Sequence, residues 1–143
     1  MQLARMAEGL QYGPSLTTRD IAPPGTAIPS HLLVAAKLLG DLRQKQEAFL
    51  GRPGLFSDPG WDILLSILID EGSGRPSYVK SVTIAAGLPD TTGLEWIRRL
   101  ELHGLIISKA DAADRRRRLL SLSIKGRNGL LGVLRSFVTS ARP

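Results

Sequence analysis

Apolar side chains recur along this chain with helical spacing in five stretches and with strand-like alternation in two. From Ser30 to Leu50, the residues Leu32, Ala35, Ala36, Leu39, Leu42, Gln46 and Phe49 share one helical face, with Lys37, Asp41, Lys45 and Glu47 away from it. Ser30 stands at the position of an N-cap and Gly51 at that of a C-terminal stop. Asp58-Pro59 opens a second helix, Gly60 to Asp70, whose Trp61, Ile63, Leu64, Leu65, Ile67, Leu68 and Ile69 make it apolar on nearly all sides and predict a central buried element. Gly72-Ser73-Gly74 ends it without the Gly-Lys-Ser/Thr close of a phosphate-binding loop.

Ser77 is placed to cap a short helix, Tyr78 to Ala86, with Val79, Val82 and Ala86 inward. Gly87-Leu88-Pro89 then reads as a tight turn between two helices, and Asp90 as the cap of the next. At 100° per residue, residues 90–103 put Gly93, Trp96, Ile97 and Leu100 on one side and Thr91, Glu95, Arg98 and Leu102 opposite, flanked by Leu94 and Arg99. Leu105 to Ser108 and Leu119 to Ser123 alternate as two short antiparallel strands, with Leu120 and Leu122 inside. A last helix, Ile124 to Thr139, shows Leu130, Leu131, Leu134, Phe137 and Val138 on one face.

The pattern predicts a mainly α fold with a small two- to three-stranded antiparallel β wing, a winged helix-turn-helix. The 143 residues suit one such domain over 30–143, preceded by a flexible tail, 1–29, rich in Gly, Pro, Ser and Thr. In a helix-turn-helix the second helix lays its outward N-terminal residues on base edges, so Thr91, Leu94, Glu95 and Arg98 are candidate readers and Thr92 a candidate phosphate ligand.

Charge sharpens this picture. The formal net charge is +6, yet residues 1–89 carry eight basic and eight acidic side chains. The excess lies in 90–135, with ten basic against five acidic, and four of those arginines, Arg115, Arg116, Arg117 and Arg118, follow one another at the wing. Strand alternation sends a run of four to both sides of the hairpin, where a polyanion can meet them. Asp111 and Asp114 are then structural, holding the wing by pairing with arginine.

These residues carry a family resemblance. Pro89-Asp90-Thr91-Thr92-Gly93-Leu94-Glu95-Trp96-Ile97 leading to Leu100-Glu101, then Gly104-Leu105-Ile106, Asp111 with Asp114-Arg115-Arg116, and Leu122-Ser123 with Gly126, resemble the multiple-antibiotic-resistance regulator (MarR) family of winged-helix transcription factors. The resemblance covers Trp61 to Phe137 and implies major-groove contacts from Thr91, Thr92, Glu95 and Arg98, with Arg115 or Arg116 in the minor groove. Arg99, Arg117 and Arg118 complete the candidate DNA-binding set. Glu95 stands where the family commonly has a basic or neutral residue, so it reads either as a base contact or as the partner of Arg98 or Arg99.

A homodimer is expected, with the helices at 30–50 and 124–139 as its elements and Leu32, Leu39, Leu42, Leu130, Leu134 and Phe137 as its interface. A twofold pair would set two recognition helices roughly 34 Å apart on a pseudopalindromic operator. The family also implies ligands between the dimer helices and the winged domain; no polar cluster in the sequence marks such a pocket, and the effector stays unassigned.

Other classes find little support. With no cysteine and only His31 and His103, there is no paired metal-ligand spacing, and no nucleophile elbow occurs. Neither catalysis nor a cofactor is expected. No apolar run reaches the roughly 18 residues of a membrane span, and Arg5 and Glu8 interrupt any signal-peptide core, which makes a cytoplasmic protein the expectation. A repressor of transcription is therefore the leading reading. The alternatives are a winged-helix module that binds protein or RNA, and a plasmid or phage replication initiator.

Overall fold

A computed structural model of the chain describes residues 27–51 and 57–141. Residues 1–26 of the expected tail lie outside the described residues. The elements run α1 (Ser30–Leu50), α2 (Pro59–Gly72), β1 (Ser77–Tyr78), α3 (Val79–Ala85), α4 (Asp90–Leu102), β2 (Ile106–Ala110), β3 (Arg118–Leu122) and α5 (Ile124–Ser140). The strands form one antiparallel sheet in the order β1-β3-β2, with Ile106 opposite Leu122 and Ala110 opposite Arg118.

α2 is the central helix, as its nearly all-round apolar sequence requires. Asp58 caps it by accepting from the Trp61 N–H at 3.4 Å, and Pro59 occupies the first helical position. Ile63, Ile67 and Leu68 are fully buried against Leu32 and Ala36 of α1, Val82 of α3, Ile97 of α4, Ile106 and Leu122 of the sheet, and Leu134 of α5. Each such side chain contributes about 1.5–3 kcal/mol, which is what fixes the helix-turn-helix on its platform.

Three expected caps differ from the observed ones. The N-caps of α1 and α4 are Pro29 and Pro89, with no side-chain cap bond, so Ser30 and Asp90 are the first residues inside their helices. Proline fixes the extended approach to the helix, which leaves the following polar residue to enter it. Ser77 is not a cap either. It pairs with Leu120 in β1 and its hydroxyl donates to Asp70 Oδ2 at 2.8 Å; Ser81 does the capping, accepting from the Tyr78 N–H and donating to the Tyr78 carbonyl.

The turn between α3 and α4 does use Gly87 in the left-handed region, φ +66°. The two helices then approach so closely that a Cβ on Gly93 would lie 2.8 Å from Thr83 Cβ and nearer still to Thr83 Cγ2. Ser123 caps α5 by accepting from the Gly126 N–H at 2.9 Å, and Gly126 lets that helix start against the Leu105 carbonyl.

The expected interface set divides here. Leu32, Leu130 and Leu134 belong to the chain's own core and are at most 3% exposed, so they are not free to meet a partner. They lie in the packed core of the chain, and only the exposed residues of α1 and α5 remain open. Leu39 is partly buried on the same core, while Leu42 and Phe137 remain exposed, with Val34, Leu38, Phe49 and Val133 beside them in sequence register.

Candidate nucleic-acid interface

α4 buries Gly93, Ile97 and Leu100 and partly buries Trp96, whose ring packs over Gly60 of α2. That orientation leaves Thr91, Leu94, Glu95, Arg98 and Arg99 exposed on the outward side, with Thr92 half-buried at the first turn. Glu95 is engaged within the helix: its Oε1 lies 3.3 Å from Arg99 Nη2, four residues on. The Arg99 guanidinium also lies 5.0 Å from the centroid of the Trp96 ring. Arg98 forms no ion pair with another described residue, so of the expected readers it is the cation left to an outside partner.

The wing is closed by its own hydrogen bonds. Asp111, 7% exposed, accepts from the Ala113 N–H at 3.0 Å through Oδ1 and meets Arg117 Nη2 at 3.0 Å through Oδ2. Asp114 Oδ1 accepts from the Arg116 N–H at 3.1 Å and from Arg116 Nε at 3.3 Å. Between these, the Asp111 N–H donates to the Arg117 carbonyl and the Arg117 N–H to the Asp114 carbonyl. Ordered carboxylate caps of this kind hold the turn before any ligand arrives.

The four arginines therefore do not form one uniform patch. Arg115 and Arg116 stand at the tip, and Arg116 is 92% exposed even with Asp114 beside it. Arg117 turns back onto Asp111 and the Tyr78 ring, 4.6 Å from its centroid. Arg118 Nη2 donates to Ser108 Oγ at 3.0 Å, and Ser108 in turn donates to Glu101 Oε1 at 2.8 Å, so this arginine ties both wing strands to the last turn of α4.

Arg127 does not belong to the basic surface. It is 7% exposed and its Nη1 lies 3.3 Å from Glu71 Oε2, while Glu71 Oε1 accepts from the Leu122 N–H at 3.2 Å. One carboxylate at the end of α2 thus holds both the end of β3 and the start of α5. Burial pushes the Glu71 carboxyl above its usual range, opposed by the Leu122 hydrogen bond and the Arg127 charge. The signal was present in the sequence: Arg127 shares the i, i+3, i+4, i+7 face of Leu130, Leu131 and Leu134. Lys125, by contrast, reaches the His103 carbonyl at 3.3 Å and helps close the C-terminal end of α4.

A cleft of about 470 Å³ lies between α1, α2 and the α3–α4 turn. Its walls include Lys37, Asp41, Glu47 and Ser66, with apolar Ile69 and Ile84, a polar grouping assembled from segments too far apart for the sequence to reveal. At its edge Arg43 Nη2 meets Asp62 Oδ2 at 2.7 Å, and Arg43 Nε is buried without a hydrogen-bond partner. Desolvation raises the Asp62 carboxyl from 3.8 to about 6, against the pull of Arg43. Among the described residues, no group of three or more His, Cys, Asp or Glu side chains could hold a metal ion, and no helix is long and apolar enough to cross a membrane.

No protein-family model and no curated protein matches the chain. Solved structures do. A point variant of S. aureus MepR is 20% identical over 79% of this chain and 78% of its own, with a TM-score of 0.51. AbsC, a MarR family transcriptional regulator from Streptomyces coelicolor, is 21% identical over 77% of this chain and 70% of its own, with a TM-score of 0.50. A second MepR variant, bound to an oligodeoxyribonucleotide, is 21% identical over 73% of this chain and 69% of its own, also at 0.50. The chain has the MarR-like winged helix-turn-helix fold.

Proposed function

We propose that this protein binds double-stranded DNA and regulates transcription from the cytoplasm as a homodimeric repressor. In this reading α4 lies in the major groove and the wing tip in the minor groove. The observation that carries it is the pairing of two outward features on one rigid frame. Thr91, Leu94 and Arg98 are left uncovered on α4, and Arg115 and Arg116 project from a hydrogen-bonded tip. Arg98 is placed to grip guanine O6 and N7, and Leu94 or Thr91 to touch a thymine methyl. Arg115 and Arg116 suit the strong negative potential of a narrow minor groove. A MepR variant of the same fold was solved with an oligodeoxyribonucleotide, which adds fold-level support. Repression is favoured over activation because occluding an operator requires no further surface.

The homodimer rests on exposed apolar residues that no part of the described chain covers: Val34, Leu38 and Leu42 along one side of α1, and Val133 and Phe137 on α5. Selection of bound fragments from a random duplex pool, followed by a salt titration, tests the whole reading. Recovered sites should show half-site symmetry, and log K should fall steeply with log salt. Arg98→Ala should cost about 1–3 kcal/mol at particular base pairs, whereas Arg116→Ala should weaken all sequences alike. Undetectable affinity for mixed-sequence duplex at about 50 mM salt would overturn the proposal.

A further inference from the structure

The arginines of the wing divide by the side of the sheet on which they stand. β3 turns Leu120 and Leu122 toward the core, so Leu119 and positions of its parity face the other way. Arg117 has that parity, just ahead of the strand. Tyr78 is the Cα partner of Leu119 across β1 and β3, which makes it the diagonal neighbour of Arg117. The contact is made: Arg117 Cζ lies 4.6 Å from the Tyr78 ring centroid. The edge of the same guanidinium meets Asp111 Oδ2 at 3.0 Å and Asp114 Oδ2 at 3.8 Å. A guanidinium with its face on an aromatic ring and one edge toward carboxylates is oriented from inside the chain, although about half of the side chain (48%) stays exposed.

We infer that Arg117 is a positioning residue of the wing and not a DNA ligand: it clamps Asp111 to the Tyr78 ring and so fixes the angle at which Arg115 and Arg116 leave the sheet. Tyr78 immediately precedes α3, the first helix of the helix-turn-helix. The clamp therefore makes wing and helix-turn-helix one body. Its effect on DNA affinity rests on the proposed function, but its existence does not. Releasing the clamp leaves the two tip arginines chemically intact and spreads them over more orientations, a loss of preorganisation.

Two measurements test this, one of them without DNA. In the free protein, the Ala113 and Arg116 amides donate to Asp111 and Asp114 and should be protected from hydrogen exchange. Arg117→Ala and Tyr78→Leu should each speed their exchange about 5- to 10-fold. Tyr78→Phe, which keeps the ring, and Arg115→Ala, which removes only a tip cation, should leave it unchanged. With duplex DNA, Arg117→Ala and Tyr78→Leu should each weaken binding by about the same 5- to 10-fold, and the double variant by no more than about twofold beyond either. Were Arg117 a phosphate ligand, the two losses would multiply, and its removal would lower the salt slope by about 0.9 in both backgrounds. Multiplying losses, or exchange that Arg117→Ala does not alter, overturns the inference. If the wild-type protein fails to bind duplex, the proposed function falls, and the exchange measurement still decides the clamp.

Discussion

Replacing Gly93 by alanine sets two calculable effects against each other. In the helix interior alanine is favoured over glycine by about 1 kcal/mol, and on an exposed face the change would stabilise α4 by that amount. Gly93 is buried, however, and the new Cβ would sit 2.8 Å from Thr83 Cβ and closer to Thr83 Cγ2, where carbon atoms prefer about 3.5–4 Å. Thr83 cannot swing away freely, because it is 2% exposed and its hydroxyl donates to the Lys80 carbonyl at 2.9 Å. Relief requires α3 and α4 to part by about 1 Å, and overpacking of that kind costs about 1–3 kcal/mol or more. With the new Cβ this close the cost falls in the upper half of that range, about 2–3 kcal/mol, so the clash wins by about 1–2 kcal/mol, or roughly 3–8 °C in Tm for a chain of this length. Urea denaturation followed by tryptophan fluorescence suits the measurement, since Trp96 lies on α4 three residues after Gly93, with its ring over Gly60 of α2. Thr83→Ser removes Cγ2 and keeps the hydroxyl, so the double variant should recover part of the loss, with a coupling of about 1 kcal/mol. If Gly93→Ala were as stable as the wild type, with no coupling to Thr83→Ser, the close approach of the two helices would be wrong.

Other perturbations probe the remaining joints. Arg127→Met strands the Glu71 carboxylate beside the core and should cost about 2 kcal/mol, whereas adding Glu71→Gln to it should restore stability; a double variant less stable than Arg127→Met would contradict the assigned pair. The Asp62 carboxyl titrates at 3.8 ordinarily and near 6 when folded, so between those values the native state holds a proton that the unfolded state has lost. Its contribution to stability is full below about pH 4, declines by up to about 1 kcal/mol per pH unit on the way to pH 6, and is flat above. The difference between wild type and Asp62→Asn should show that decline, and a difference curve flat from pH 4 to 7 would sink the argument. Leu38, 61% exposed, should tolerate glutamate in a monomer; in the proposed dimer Leu38→Glu should halve the mass seen by sedimentation, and an unchanged mass removes this face of α1 from the interface.

Much of the fold was legible because it is written in apolar periodicity. The helix Gly60 to Asp70 is apolar on nearly all sides, and it sits at the centre, with Asp62, Ser66 and Asp70 on the one side that lines the cleft. The residues 90–103 put Gly93, Ile97 and Leu100 on one face, and these are the residues α4 buries. What escaped was either too short or too directional for a pattern. β1 is two residues long, below the length at which alternation can be recognised, and only its pairing with Leu119 and Leu120 defines it. Helical spacing puts Leu32 with Leu42, and Leu130 and Leu134 with Phe137, because a helical face is broad. The sequence does not say which edge of that face meets α2 and which meets solvent.

Charge was the least legible quantity, since a count has no direction. Ten cations in 90–135 suggested one broad basic surface, yet Arg127 is inside, Arg117 lies on an aromatic ring, Arg99 is matched by Glu95, and Arg118 is bound through Ser108 to Glu101. A polyanion would find fewer cations than the composition offers, but better placed ones. An exposed arginine on a loose loop loses about 2 kcal/mol of side-chain freedom when it docks, and the loop's own ordering adds to that. Here the backbone around Arg115 and Arg116 is already held by Asp111 and Asp114, and the strands beneath it are braced on one face through Tyr78 and on the other through Glu101. Fewer phosphate contacts on such a frame give a shallower salt dependence than ten free cations would, while a larger share of the binding free energy depends on where those contacts fall.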